Sequence, residues 1–343
     1  MAETPFGKTG HGPSAKKIVG LDIGSSFVKA VEVSGGISPS LISLGMKKVR
    51  GASRIEMAET VTRLVEESKF SAKEANISVS GPFVVARFVT MPKMKDDELK
   101  SAVRFEAEKV VPFNISECVV DFQVLRTDKA GSKTDLILVA AKRDMIEDRI
   151  KAAEASGLSV AAVDVDSLAL AGSFSRNKAD AAADKSFAIL NIGARFTNLA
   201  IVREGTAYFI RDLAIGGNEF SAAISKVLGV DNAASDKIKE SPHDKRQSIV
   251  DAVKPVVNNL LDEVKLSFNY YENQNGRGVD EIYISGGSSG LAGLEDLFQE
   301  YFGVRPFAWD PLAFLDKSAS GIDAKLLEGS KGSYGVAAGL ALR

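Results

Sequence analysis

Several residue types are almost missing from this chain of 343 residues. It holds one cysteine, Cys118, two histidines, His11 and His243, and one tryptophan. A lone cysteine makes no internal disulfide and no multi-cysteine zinc site. Two histidines exclude a histidine-rich metal centre. Charge of one sign is lacking too: 43 basic residues against 45 acidic ones leave a net −2, so no broad basic face suits nucleic acid. No run approaches the ~20 apolar residues that a membrane-spanning helix needs, and Met1–Lys16 has no apolar signal core. A flexible tail and a cytoplasmic location are expected. Work at a membrane would then need a partner to hold the chain there. Apolar residues make up 45% and charged residues 26%, as in an ordinary globular protein large enough for two lobes.

What is present begins with a repeat. Leu21-Asp22-Ile23-Gly24-Ser25-Ser26-Phe27-Val28-Lys29 returns as Leu190-Asn191-Ile192-Gly193-Ala194-Arg195-Phe196-Thr197-Asn198. Each copy follows one apolar strand and leads into another, so each reads as a hairpin. A tight glycine turn presents backbone N–H groups to an anion. Two such turns across a cleft suit the phosphates of one nucleotide, with Asp22 holding a hydrated Mg²⁺. The plain alternative for Asp22 is a turn cap. Gly24, Ser25 and Ser26 offer N–H and hydroxyl donors. Lys29 reads equally as added charge for phosphate or as a solvated strand residue. In the second turn, the backbone of Gly193 and Ala194 can bind phosphate, and Arg195 is either a further charge or an ordinary surface arginine.

A third element is Val279–Leu291, a strand running into Gly286-Gly287-Ser288-Ser289-Gly290 and then a helix. Paired glycines let backbone approach a flat base or ribose, and a helix N-terminus favours phosphate.

In this order the three elements resemble the phosphate-1, phosphate-2 and adenosine motifs of the actin, Hsp70 and sugar-kinase superfamily. Within it the chain is most similar to the PilM family of type IV pilus assembly, relatives of the division protein FtsA. Lys17–Val33, Met91-Pro92 through Val111-Pro112-Phe113, Asp164–Leu170 and Gly335–Arg343 carry that resemblance. It implies an α/β, actin-like (ribonuclease H-like) two-lobe ATPase fold with an FtsA-type insert. The expected first lobe comprises residues 17–80, 157–180 and 331–343, the insert 81–156, and the second lobe 184–330, after a low-complexity break at Ala179–Asp184. Within these lie an amphipathic helix around Ala58–Glu67, a long helix over Asp244–Glu272 with Pro255 inside, and a loop at Ala319–Ser330.

The resemblance also implies ATP and Mg²⁺ as ligands. It puts Asp166 where the superfamily has a residue that positions water at the γ-phosphate, although Asp166 also reads as a helix N-cap. Many members carry Asp where this chain has Asn191. Asn is no carboxylate base, so binding with weak or no hydrolysis is expected. Gly216 and Gly217 match the Gly-Gly that closes over the β-phosphate. Glu263 and Ser267 share one face of a helix that borders the adenine, or else lie on a solvated face.

The implied partner is the N-terminal cytoplasmic peptide of a PilN-like inner-membrane protein, which would recruit the chain to the inner membrane. The assembly motor ATPases are further expected contacts, and self-association into a ring is another. Two other functions fit the same fold: a small-molecule (sugar or acid) kinase, and an FtsA-like filament former. The first needs a polar acceptor pocket, which the apolar insert helix Leu99–Val110 does not suggest. The second uses a membrane-binding tail, which is not expected here.

Overall fold

The computed structural model describes residues 16–343 apart from residues 37, 52, 129–130, 179–183, 242, 319, 321 and 323–329. The expected N-terminal tail and most of the Ala179–Asp184 and Ala319–Ser330 segments lie outside these.

The first lobe is a five-stranded sheet ordered β3-β2-β1-β4-β8. Its strands are β1 (Lys17–Ile23), β2 (Phe27–Ser34), β3 (Ser40–Lys48), β4 (Glu74–Val79) and β8 (Ser159–Val165). The first three form an antiparallel meander, and β4 and β8 add in parallel. The second lobe repeats this order as β11-β10-β9-β12-β13, from β9 (Ser186–Ile192), β10 (Thr197–Arg203), β11 (Thr206–Leu213), β12 (Glu281–Ser285) and β13 (Phe307–Ala308). Central strands such as KIVGLDI and SFAILNI are apolar because both faces are covered,. Each buried Leu or Ile here contributes roughly 1.5–3 kcal/mol.

Helix α1 (Arg54–Ser68) begins four residues before the expected Ala58, because Ser53 and Glu56 form a reciprocal capping box at its start,. The insert leaves after β4. It is a three-stranded sheet ordered β5-β7-β6, of β5 (Val84–Pro92), β6 (Cys118–Thr127) and β7 (Lys133–Lys142), with α2 (Asp96–Val110). The helix α3 (Arg143–Glu154), expected within the insert, instead packs Ala152 and Ala153 into the first-lobe core with Val19, Leu21 and Ile77. Leu99, Val103 and Ala107 of α2 bury one stripe against this sheet,.

Two helices separate the lobes. Helix α4 (Asp166–Asn177) packs Leu170 and Phe174 on the second-lobe sheet, against Phe187 and Tyr283. After α5 (Gly217–Leu228), α6 (Asn232–Glu240), α7 (Arg246–Asn275) and α8 (Leu294–Phe302), helix α9 (Gly335–Ala341) returns to the first-lobe sheet, as expected. Helices α4 and α9 touch backbone to backbone. A Cβ on Gly339 would stand 1.9 Å from the Ala169 oxygen, and one on Gly20 1.9 Å from the Ala337 oxygen. Pro255 lies inside α7 without ending it.

Two further expectations are corrected. The second lobe does not extend to residue 330, since Leu312 and Leu315 join Val31, Val33 and Leu41 in the first-lobe core. Backbone bonds from Leu41 to Asp316 and from Asp316 to Pro39 fix that segment to β3. Asp166 is not the N-cap of α4: Val165 is, and Asp166 is the first helical residue.

Candidate functional site

The first hairpin aligns Asp22 on β1 opposite Lys29 on β2. Opposed residues share a face, and Lys29 Nζ lies 2.6 Å from Asp22 Oδ2. Lys29 is therefore not a solvated strand residue. Burial pushes the Asp22 carboxyl above the ordinary carboxylate range; Lys29 opposes that shift and Asp166 adds to it,. Gly24 makes the turn, where a Cβ would stand 2.7 Å from the Phe27 oxygen and 3.2 Å from Lys29 Nζ. Ser25 is exposed and Ser26 half-buried. Arg149 of α3 donates to the Ile23 carbonyl at 2.5 Å and adds positive charge near Asp22. Arg149 was not among the expected site residues, because α3 lies more than a hundred residues from Ile23 and no local pattern links the two.

The second hairpin has the same register with neutral groups. Asn191 opposes Asn198, which opposes Asp212 on β11. Asn191 Nδ2 donates to Asn198 Oδ1 at 2.9 Å, and Asn198 Nδ2 donates to Asp212 Oδ1 at 2.8 Å. Asp212 accepts only, so it fixes which way Asn198 points. The Gly193 N–H is taken by the Phe196 carbonyl across the hairpin mouth, so Gly193 shapes the turn and does not offer the phosphate donor expected of it. Ala194 is half-buried beside it. Arg195 is exposed, with its guanidinium 5.6 Å from the Phe196 ring.

Two further glycine turns dock on this hairpin. Gly217 and Asn218 donate their N–H groups to the Gly193 and Ala194 carbonyls at 2.9 and 2.8 Å. Gly217 and Asn218 thus brace the second turn at the start of α5, while the Gly216 N–H goes to Glu219 Oε2 at 2.9 Å. A Cβ on Gly216 would meet the Gly193 oxygen at 2.8 Å. Gly286 adopts φ +95, and a Cβ there would meet Ile192 backbone at 2.5 Å. Gly287 is exposed at the same turn. Ser288 is buried, and its hydroxyl donates to Gly193 O at 3.3 Å, so it braces the second turn.

Lys239 of α6, also missed, donates to Gly217 O at 3.0 Å and to Ser221 Oγ at 2.7 Å. Nothing local distinguishes it from the neighbouring lysines. Glu263 and Ser267 share one partner, and Ser267 is buried rather than on a solvated face. Arg211 donates to Glu263 Oε2 at 2.6 Å and to Ser267 Oγ at 3.1 Å, which ties both to β11.

Asp166 is half-buried. Burial raises the carboxyls of Asp22, Asp164 and Asp212, and the nearby charge of Asp166 adds to each shift. Asp164 is buried and ion-paired with Arg343. The carboxylates of both lobes therefore converge on the start of α4, between the two hairpins. Glycines that no Cβ can replace line this place, and Asp22 with Lys29 supplies groups for a metal and for phosphate. These donors fit Mg²⁺ and a nucleotide's phosphates.

Beyond the cleft, a groove of about 910 Å³ runs between the insert and the second lobe. Consecutive residues of β5 (Val84–Thr90) and β11 (Thr206–Asp212) line it, with Leu266, Tyr270 and Gln274 of α7. Both strands are terminal in their sheets, so the groove faces strand edges.

Paired meander-plus-parallel sheets around two glycine hairpins define the actin-like ATPase fold. MreB 5 of Spiroplasma citri bound to AMPPNP superposes with a TM-score of 0.51 over 95% of each chain at 12% identity. The chain belongs to the family described as type IV pilus assembly protein PilM, whose model matches residues 20–343. It is similar to the solved PilM-PilN type IV pilus biogenesis complex, with a TM-score of 0.85 and 27% identity over 95% of this chain and 98% of that one. It is also 27% identical over 124 residues to ethanolamine utilization protein EutJ of Salmonella typhimurium, spanning 41% of that relative and 36% of itself. Among the described residues, no helix is long and apolar enough to cross a membrane.

Proposed function

We propose that this protein binds Mg-ATP between its two hairpins and grips the N-terminal peptide of a PilN-like inner-membrane protein. That peptide recruits it to the pilus assembly platform. The observation that carries the nucleotide half is the buried Asp22–Lys29 pair beside the Gly24 turn. When bound, Mg²⁺ neutralises phosphate charge. Asp22 would hold that ion, and Lys29 with the Gly24–Ser26 turn would offer charge and donors to the phosphates. Asn191, bonded to Asn198, supplies no carboxylate base, so hydrolysis is slow or absent.

Similarity to the PilM-PilN complex supports the peptide half, and the edge-lined groove suggests where it binds. An extended peptide there gains main-chain bonds from β5 or β11 and seats alternate apolar side chains against Tyr270 and Leu266. Both of these are more than half exposed. The motor ATPases and a ring of copies are further contacts of such a platform protein.

The test is titration of a fluorescent synthetic peptide, the N-terminus of the organism's PilN-like protein, into the wild type and Tyr270→Glu. The account expects at least about tenfold weaker binding by the variant, with Mg-ATP affinity retained. Undiminished peptide binding would rule out the groove.

A further inference from the structure

Asp212 stands where the cleft and the groove share a wall. Its carboxylate gathers three elements. Oδ2 accepts the Gly81 N–H at 2.7 Å, while Oδ1 accepts the Ser167 hydroxyl at 2.9 Å and the Asn198 amide at 2.8 Å. Gly81 is the junction between β4 and the insert strand β5. Ser167 follows Asp166 at the start of the inter-lobe helix α4. Asn198 passes the bond on to Asn191 of the second hairpin. Asp212 itself lies on β11, so one carboxylate ties the opposite walls of the groove to the floor of the cleft.

A second contact runs alongside. Gly81 adopts φ +96, and a Cβ there would stand 3.1 Å from the Phe196 ring. Phe196 closes the second hairpin turn and also lines the groove. The same turn thus sets its backbone towards the cleft and its ring towards the groove.

We infer that Asp212 is a positioning residue that couples nucleotide occupancy of the cleft to peptide binding in the groove. This rests on the function proposed above. A nucleotide that shifts the Asn191–Phe196 hairpin or the start of α4 relative to the first lobe moves the groups bonded to Asp212. The pull reaches Gly81 and β5, and the spacing of β5 and β11 follows. Coupling requires the nucleotide to favour one spacing, and it is reciprocal: the peptide changes nucleotide affinity by the same factor.

Asp212→Asn keeps the volume but leaves one acceptor oxygen. Its NH₂ group must then face either the Gly81 N–H or the Ser167 and Asn198 donors, and one side of the tie is lost. Ser167→Ala removes a single donor and decides the matter if Asp212→Asn does not fold.

The experiment measures affinity for the PilN-like peptide with and without saturating Mg-ATP in wild type and both variants. The nucleotide-dependent ratio is the readout. A role limited to folding or to peptide contact would weaken binding in both states and leave that ratio unchanged. The expected result is a ratio of about fivefold or more in the wild type, collapsing towards one in Asp212→Asn and reduced in Ser167→Ala. A wild-type ratio retained in a folded variant overturns the assignment. Equal wild-type affinities in the two states overturn the coupling while sparing the peptide site, and no wild-type binding at all overturns the proposed function and the coupling together.

Discussion

Asp22 faces Lys29 across the first hairpin, and Asn191 faces Asn198 at the matching place in the second. The sheets around them have the same strand order and the same switch from antiparallel to parallel neighbours. On the third strand the match ends: Lys29 opposes Met46, whereas Asn198 opposes Asp212. The first hairpin therefore closes its charge within itself as an ion pair. The second passes a neutral chain of hydrogen bonds outward to a carboxylate, and from there to the insert and α4. One scaffold thus serves metal and phosphate chemistry in one copy and connection between sites in the other.

Breaking the two pairs should cost unequally. Lys29→Met leaves a buried carboxylate without its partner and is expected to lose about 3 kcal/mol of stability at neutral pH. Asn198→Ala breaks one neutral bond to Asn191 and one bond to the Asp212 carboxylate but leaves no buried charge without its ion pair, and about 2 kcal/mol is expected. Urea denaturation of both variants checks this, and equal losses would mean the pairs are interchangeable.

Converting the second hairpin towards the first should not reproduce it. Asn191→Asp places a carboxylate against Asn198 Oδ1, which cannot turn away because Asp212 holds the amide side. A loss of about 1–3 kcal/mol is expected at neutral pH. The new carboxyl would have a folded-state pKa above its unfolded value. The deficit is then absent below the ordinary carboxylate pKa and grows as pH rises through the folded one. Thermal unfolding from pH 4 to 8 against wild type shows whether it does.

The smallest effect concerns Asp22 itself. Its carboxyl titrates above the ordinary range, and only the charged form holds a cation. Mg-nucleotide affinity should fall on acidification before ordinary carboxylates protonate, by up to about tenfold per pH unit. A flat profile down to pH 4 would contradict the raised pKa.

Much of this was legible in the sequence where it was local. The repeated Asp/Asn-Ile-Gly turns predicted both hairpins, while the register that sets 22 opposite 29 and 191 opposite 198 came from the structure. Even so, Lys29 was read as equally a solvated residue, because alternation alone does not tell which face a central strand buries. Asp212, Arg149 and Lys239 were missed for a different reason: each reaches its partner across elements that no local pattern links. Gly217 and Ser288 stood among the expected site residues, but the bonds by which they hold the second turn link distant segments and leave no mark in the local pattern. The boundary near residue 309 was hidden because the chain crosses to the first-lobe core without a change in composition.

The most direct test is calorimetric titration of Mg-ATP into wild type, Asp22→Ala and Asn191→Ala. The account predicts binding by wild type, loss of at least about a hundredfold in Asp22→Ala (some 2.7 kcal/mol) and a change below about tenfold in Asn191→Ala. Unchanged affinity in Asp22→Ala, or equal losses in both variants, would contradict the division of labour between the hairpins.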